Sequence, residues 1–350
     1  MGDRQLSDTD QELIDLVKSG ISFSSNPSSQ FEYSNLGYAL LGRIVSNVSG
    51  QHYQHYIIEK ILRPLGMNDC EFEYEKIPAE KLALGYRWED NQWKPEALLK
   101  DGSYASMGGM ICTIDDFAKY MSFLLTAWPS RNEEEVGPVK RRSAREMQQP
   151  WKFRSLLSTL KKHSDELCPR TLSYGFGLGW MQDCHGDVAI SHSGGLPGFG
   201  SVHILLRDYG VGIVAFSNLT YAGMGAPAWQ VLDTLKLLAN LKKRVLPISP
   251  TLKKIQDQIV KLVPGWGNEY DEMFAENFFP DISKAYRKKE TDELFAKIGK
   301  ITSTGKMQPE NLLRGSFDLV GEKGTIEVYF TLTPEATPKV QWLSFQLKEK

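Results

Sequence analysis

Three segments in close succession, Val188 to Ser193, Ser201 to Arg207 and Val211 to Ser217, constrain this chain more than any other feature. Each has the length and apolar content of a strand. Asp208-Tyr209-Gly210 joins the last two as a three-residue hairpin loop, with Gly where a positive φ is wanted. An apolar helix pattern from about Pro227 to Leu241 follows and can cover one face. Strands backed by a helix predict an α+β fold, an antiparallel sheet with helical layers.

A second feature lies near the beginning. Phe31-Glu32-Tyr33-Ser34-Asn35-Leu36-Gly37 sets a phenol, a hydroxyl and a carboxamide on consecutive residues ahead of a helix pattern. Leu36, Leu40, Leu41, Ile44, Val45 and Val48 fall at helical spacing, and Ser49-Gly50 supplies a stop. With that apolar face buried, the first turn is rigid, and Tyr33 and Asn35 project from it as preorganised polar groups. The same three residues also suit a plain helix cap.

Other segments are read from their punctuation. Thr9 and Glu12 form a capping box for a helix ending at Gly20, and Thr113 caps another carrying Phe117, Tyr120, Met121, Leu124 and Leu125. Tyr53 to Leu62 is helical and stops at Pro64-Leu65-Gly66. Residues 70 to 107 suggest an irregular lobe, and 129 to 171 a polar, exposed excursion. Tyr174 to Trp180, with alternating glycines, reads as a strand needing close backbone approach.

The Pro- and Gly-rich stretch 246–267 reads as a linker between a domain over 1–245 and a small α+β accessory domain over 268–350. In the latter, Asp281 to Ile298 is helical, and Ile326, Val328, Phe330 and Leu332 alternate with polar residues on a strand. Gly321 to Gly324 turns into that strand, and Val340 to Leu347 is another.

Composition matters chiefly for what it excludes. In 350 residues, 41% are hydrophobic and 24% charged, as in an ordinary globular protein. A net charge of -2 gives no electrostatic case for nucleic acid. No apolar run approaches the roughly 20 residues of a membrane span. The start, Met1-Gly2-Asp3-Arg4-Gln5, lacks a signal-peptide core. Cys70, Cys112, Cys168 and Cys184 are unevenly spaced and read as isolated thiols, compatible with a reducing, cytoplasmic compartment. No cofactor is expected. His52 and His55, three apart on a helix, lack a carboxylate or thiolate at ligand spacing, and no metal site is assigned.

The remaining motif is Ser191-His192-Ser193-Gly194-Gly195-Leu196-Pro197-Gly198, at the end of the first strand. It puts an imidazole beside a glycine-lined backbone edge that a substrate can approach closely. Taken in order, Tyr33-Ser34-Asn35 and His192-Ser193-Gly194 resemble the second and third elements of the serine β-lactamase and penicillin-binding-protein superfamily. The likeness is to its class C branch with related esterases and peptidases. Supporting similarity covers Tyr38 to Gly42, Arg63 to Met67, Gly108-Gly109, Asp115 to Ala118 and Tyr174 to Trp180.

The resemblance implies a β-lactamase/transpeptidase-like fold and acyl transfer on a small-molecule or peptide amide or ester. By it, Tyr33 exchanges protons, Asn35 holds a substrate amide, and His192 orients the substrate or assists Tyr33. Ser34, Ser193, Gly194 and Gly195 line the substrate, with a backbone N–H near Gly195 in the oxyanion hole. The superfamily's first element, Ser-x-x-Lys, does not occur before Tyr33. Ser158 with Lys161 and Ser303 with Lys306 match its spacing but lie downstream in polar surroundings. The chain therefore reads as N-terminally incomplete, with a sheet edge open to self-association. It is either a hydrolase lacking its nucleophile or a non-catalytic binding protein that keeps the cleft.

Overall fold

A computed structural model describes residues 9–130, 134–135, 137–160 and 166–348. The chain forms two compact units that divide between Arg244 and Val245. The first begins with helices α1 (Asp10–Ser19), α2 (Asn35–Ser49) and α3 (Tyr53–Ile57). Strands β1 (Cys70–Glu71), β2 (Tyr86–Glu89), β3 (Gln92–Pro95) and β4 (Ile111–Cys112) follow, then α4 (Ile114–Thr126) and α5 (Arg141–Met147). Next come β5 (Lys152–Leu157), β6 (Arg170–Tyr174), β7 (Gly179–Gln182), β8 (Val188–Leu196), β9 (Phe199–Leu206), β10 (Val211–Ser217) and α6 (Gly225–Leu238).

β5 to β10 make one antiparallel sheet in the order β10-β9-β8-β7-β6-β5. Side-chain alternation gives the sheet two buried faces. Val188, Ile190 and Leu205 pack with Met121, Phe123 and Leu124 of α4. Ala189, Val202, Ile204 and Leu206 pack with Ala228 and Leu232 of α6. The fold is thus α+β with a helix layer on each face, as the three strands and their following helix predicted. Gly210 closes the β9–β10 turn at φ 74.

The predicted caps form. Thr9 and Glu12 close a reciprocal capping box on α1, and the Thr113 side chain accepts from the Asp116 N–H on α4. Five expectations need correction. Residues 129 to 171 are not only an excursion, because they supply α5, β5 and the start of β6. β5 sits at a sheet end with Phe153 and Leu156 exposed, so it carries no buried alternation for a periodicity argument to find. Tyr174 to Trp180 is a hairpin rather than one strand: β6 ends at Tyr174, Gly175 N–H donates to Leu178, and Gly177 turns at φ 72.

The third correction concerns α2. Its buried residues are Ala39 and Gly42, while Leu41, Ile44 and Val48 are exposed, Val48 at 84%. Close backbone approach decides this. A Cβ at Gly42 would lie 2.1 Å from the Ser106 hydroxyl, which itself donates to the Tyr38 carbonyl. The small-residue face therefore packs most closely, and of the predicted stripe Leu36, Leu40 and Val45 are half-buried while Leu41, Ile44 and Val48 are exposed, so the expectation from spacing holds only in part.

The fourth is the cysteines. Cys70 pairs with Cys112 across the β1–β4 bridge, and Cys168 with Cys184 beside the β6–β7 hairpin. No free cysteine remains. Uneven spacing in sequence says nothing about which residues a fold brings together. No helix among the described residues is long and apolar enough to cross a membrane.

The second unit contains α7 (Pro250–Leu262), α8 (Phe278–Asp281), α9 (Lys284–Ile298) and strands β11 (Ile301–Thr304), β12 (Gln308–Pro309), β13 (Arg314–Gly321), β14 (Thr325–Leu332) and β15 (Val340–Leu347). Most of 246–267, read above as a linker, is the helix α7, whose Leu252, Ile255, Ile259 and Leu262 belong to this unit's core. Ser249 caps it and Pro250 stands at its first position, which is where proline belongs. On β14, Ile326, Val328, Phe330 and Leu332 are buried in alternation. Each such burial is worth about 1.5 to 3 kcal/mol.

The pairing predicts a thiol count. Alkylation of the denatured, unreduced chain should find no free cysteine, and all four should react after reduction. Stoichiometric labelling before reduction would refute both pairs.

Candidate active site

The site assembles where the start of α2 meets the far end of β8. The Ser34 hydroxyl accepts from the Gly37 N–H at 2.9 Å and so caps α2. This cap fixes its two neighbours: Tyr33 just before the helix and Asn35 as its first residue. Tyr33 is 53% exposed, and Asn35 is half-buried. The cap reading and the site reading of this motif are therefore compatible.

β7 reaches along β8 only as far as Gly179 opposite Ser191. From His192 to Leu196, β8 pairs with β9 on one side and, among the described residues, with no strand on the other. Ser193, Gly194 and Gly195 are exposed along that open edge. The glycines are there for space. A Cβ at Gly195 would meet the Tyr221 ring at 2.6 Å, and one at Gly194 the Ser201 hydroxyl at 2.5 Å.

The Tyr33 and His192 rings lie 6.0 Å apart, so the structure brings together the two groups that the sequence set far apart. Two residues not proposed from sequence join them. The Tyr174 hydroxyl is 3.1 Å from His192 Nε2, and its ring meets Tyr33 edge-on at 6.2 Å. Tyr38, on α2, lies beside Tyr174. Burial raises the pKa of both phenols. Burial also lowers that of His192, against an opposing bond to the Ser193 carbonyl at 2.8 Å. Tyr174 lies in a stretch already noted for its family likeness, but a single tyrosine carries no signal of its own.

Ser303 and Lys306 are exposed in the second unit. Ser158 is exposed after β5, and Lys161 lies outside the described residues. The rings of His52 and His55 are 6.5 Å apart on the surface. Among the described residues, only Cys168, Cys184 and His185 have three ligand atoms close enough for a metal, and the two sulfurs are joined to each other.

Behind the site, His203 stands opposite His192 on β9 and against Phe117 of α4. It is 8% exposed and its Nε2 has no partner. Burial, reinforced by His192, lowers its pKa from 6.5 to about 4. In that interval the unfolded chain binds a proton at this residue that the folded chain refuses, so stability falls as pH falls from 6.5 to about 4. The term is on the order of 2 to 3 kcal/mol. Urea unfolding across this window should show less acid destabilisation in His203→Phe, by about that amount; equal slopes would remove His203 as the cause.

The family profile described as Beta-lactamase matches residues 5–236. Among curated relatives, Protein flp of Staphylococcus aureus (strain NCTC 8325 / PS 47) is 28% identical over 196 residues, covering 55% of this chain and 34% of that protein. Unguisins hydrolase ungD' of Aspergillus campestris is 27% identical over 217 residues, covering 60% and 38%. The chain thus spans little more than a third of the length of these relatives. Among solved structures, an octameric penicillin-binding protein homologue from Pyrococcus abyssi aligns with 98% of this chain and 67% of its own, at TM-score 0.50 and 19% identity. A class C beta-lactamase aligns with 67% of this chain and 65% of its own, at TM-score 0.51 and 17% identity. With more than half its residues matched by the family profile and its fold shared with these structures, this chain belongs to the beta-lactamase family.

Proposed function

We propose that the first unit binds a small-molecule or peptide amide or ester at an acyl-transfer site. The observation that carries this reading is the 6.0 Å approach of Tyr33 and His192 beside the open edge of β8. An extended substrate lies along that edge as an added strand, where backbone groups supply affinity. Tyr33 exchanges the proton, Asn35 holds the substrate amide and His192 orients it. The backbone N–H near Gly195 faces the developing oxyanion. The hydrolase named among the relatives supports hydrolysis as the chemistry.

Covalent catalysis also needs an activated serine. No Ser-x-x-Lys precedes Tyr33 in these residues. The 350-residue polypeptide therefore carries the binding and proton-handling half of the site. The second reading, a non-catalytic binding protein that keeps the cleft, is favoured by the same observation.

Both readings are tested together. Incubated with a fluorescent penicillin or a fluorophosphonate, this polypeptide should acquire no covalent label, and an adduct would show that a nucleophile is present. Non-covalent penicillin binding, measured by calorimetry, should weaken up to about tenfold in Asn35→Ala, the worth of one hydrogen bond. Affinity unchanged in Asn35→Ala and in Gly195→Val would remove the site.

The edge strand β10 and the exposed Leu41, Ile44 and Val48 of α2 also support self-association. An octameric homologue agrees with this. Sedimentation should find oligomers that dissociate in Ile44→Glu/Val48→Glu, and a monomer at all concentrations would refute it.

A further inference from the structure

The hydrogen bonds around His192 form a chain whose direction one carbonyl determines. Nδ1 lies 2.8 Å from the Ser193 backbone oxygen, which can only accept. Nδ1 must therefore carry a proton. Without it, two acceptors would face each other at hydrogen-bonding distance.

The remaining question is whether Nε2 is also protonated. The groups facing the ring are Tyr33 and Tyr38 from the start of α2, Tyr174 from β6, His203 from β9 and, near Tyr174, Arg154 from β5. None of these is a carboxylate, and a second positive charge beside Arg154 in a half-buried site is disfavoured. The imidazole is neutral, with a lone pair on Nε2. The Tyr174 hydroxyl at 3.1 Å must then donate to it. Having given its only proton there, the Tyr174 hydroxyl can meet any further group only as an acceptor.

We infer that Tyr174 is a positioning residue that locks His192 as the neutral Nδ1–H tautomer with Nε2 already occupied. The inference rests on the acyl-transfer reading of the site and assigns the imidazole a narrower part in it. The ring is not a free base for Tyr33. Among the described residues the Tyr33 hydroxyl has no hydrogen-bond partner and stands exposed, so unlike that of Tyr174 it meets the substrate unengaged. The Ser193 carbonyl is likewise committed to the ring, which leaves the Gly194 and Gly195 part of the edge for the substrate. The backbone accommodates the chain of bonds at one turn. Gly177, at φ 72, leaves room for the Tyr38 hydroxyl, which would stand 3.1 Å from a Cβ there.

The direction of the effect follows. A donor held on Nε2 stabilises the neutral ring and so opposes its protonation. Burial works in the same direction.

Long-range proton–nitrogen NMR on the full chain with labelled histidine tests this without a substrate. His192→Asn identifies the resonances among the six histidines. The unmodified chain should show a protonated Nδ1 and a bare, hydrogen-bonded Nε2. In Tyr174→Phe the titration midpoint of His192 should rise by about one pH unit. A protonated Nε2 in the unmodified chain, or an unmoved midpoint in Tyr174→Phe with the His203 signals intact, would overturn the inference. The tautomer is read from the unmodified chain, so a variant that folds poorly does not block the test. A failure of penicillin binding would count against the acyl-transfer reading and leave these signals as they are.

Discussion

The site depends on a strand that outruns its neighbour. β8 continues five residues past its last pair with β7, from His192 to Leu196, and only β9 holds it there. An unpaired edge inside a sheet is costly unless something else satisfies or covers it. Here the cost is partly met from within, because the His192 ring reaches back to the Ser193 carbonyl. What remains open is the glycine pair, which carries no side chain of its own and is exposed. The start of α2 is brought to the same place, and its cap sets which side chains face the gap. Strand length and helix capping are thus the two local facts from which the geometry of the site follows.

That dependence explains which parts of the fold were legible beforehand. β14 declared itself because both requirements coincide: a period of two in the sequence and one fully buried face. The caps at Thr9, Ser34 and Thr113 were legible because capping is settled within four residues. The orientation of α2 was not. Its leucines and isoleucine mark an apolar face, but periodicity does not say whether that face or the small-residue face meets a neighbour. Gly42 decided it through a contact with Ser106, distant in sequence. β5 escaped notice for a related reason, since a strand at the end of a sheet needs no buried alternation. The cysteines illustrate the same limit, because their pairing is a property of the completed fold. The Pro-rich stretch before α7 was read as punctuation, although a proline at a helix's first position marks a beginning as readily as an end.

The site itself was legible as two motifs and not as a network. Tyr33, Asn35 and His192 were visible because each sits in a patterned triplet next to a predicted element. Tyr174 lacks such a pattern, and its part appears only when hydrogen-bond donors are counted against acceptors. Such counting constrains more than proximity does. Once the ring is neutral, its two nitrogens, one phenol and one carbonyl leave a single consistent arrangement of protons, whereas ring distances alone would allow His192 to be an acid, a base or a spectator.

The same reasoning bears on what kind of group the cleft asks for. Its phenols and imidazoles can donate, accept and relay, and burial raises Tyr38 and Tyr174 while lowering His192 and His203. Every one of these shifts favours the neutral form. Under the proposed reading, such neutral donors and acceptors suit an amide or ester carbonyl, which needs hydrogen bonds and not a counter-charge. The cleft also stabilises a negative charge only where one is generated in place, opposite backbone N–H groups that need no reorganisation. The glycine edge of β8 offers such groups. The protonation states of the cluster are thus the ones that the proposed acyl-transfer reading calls for.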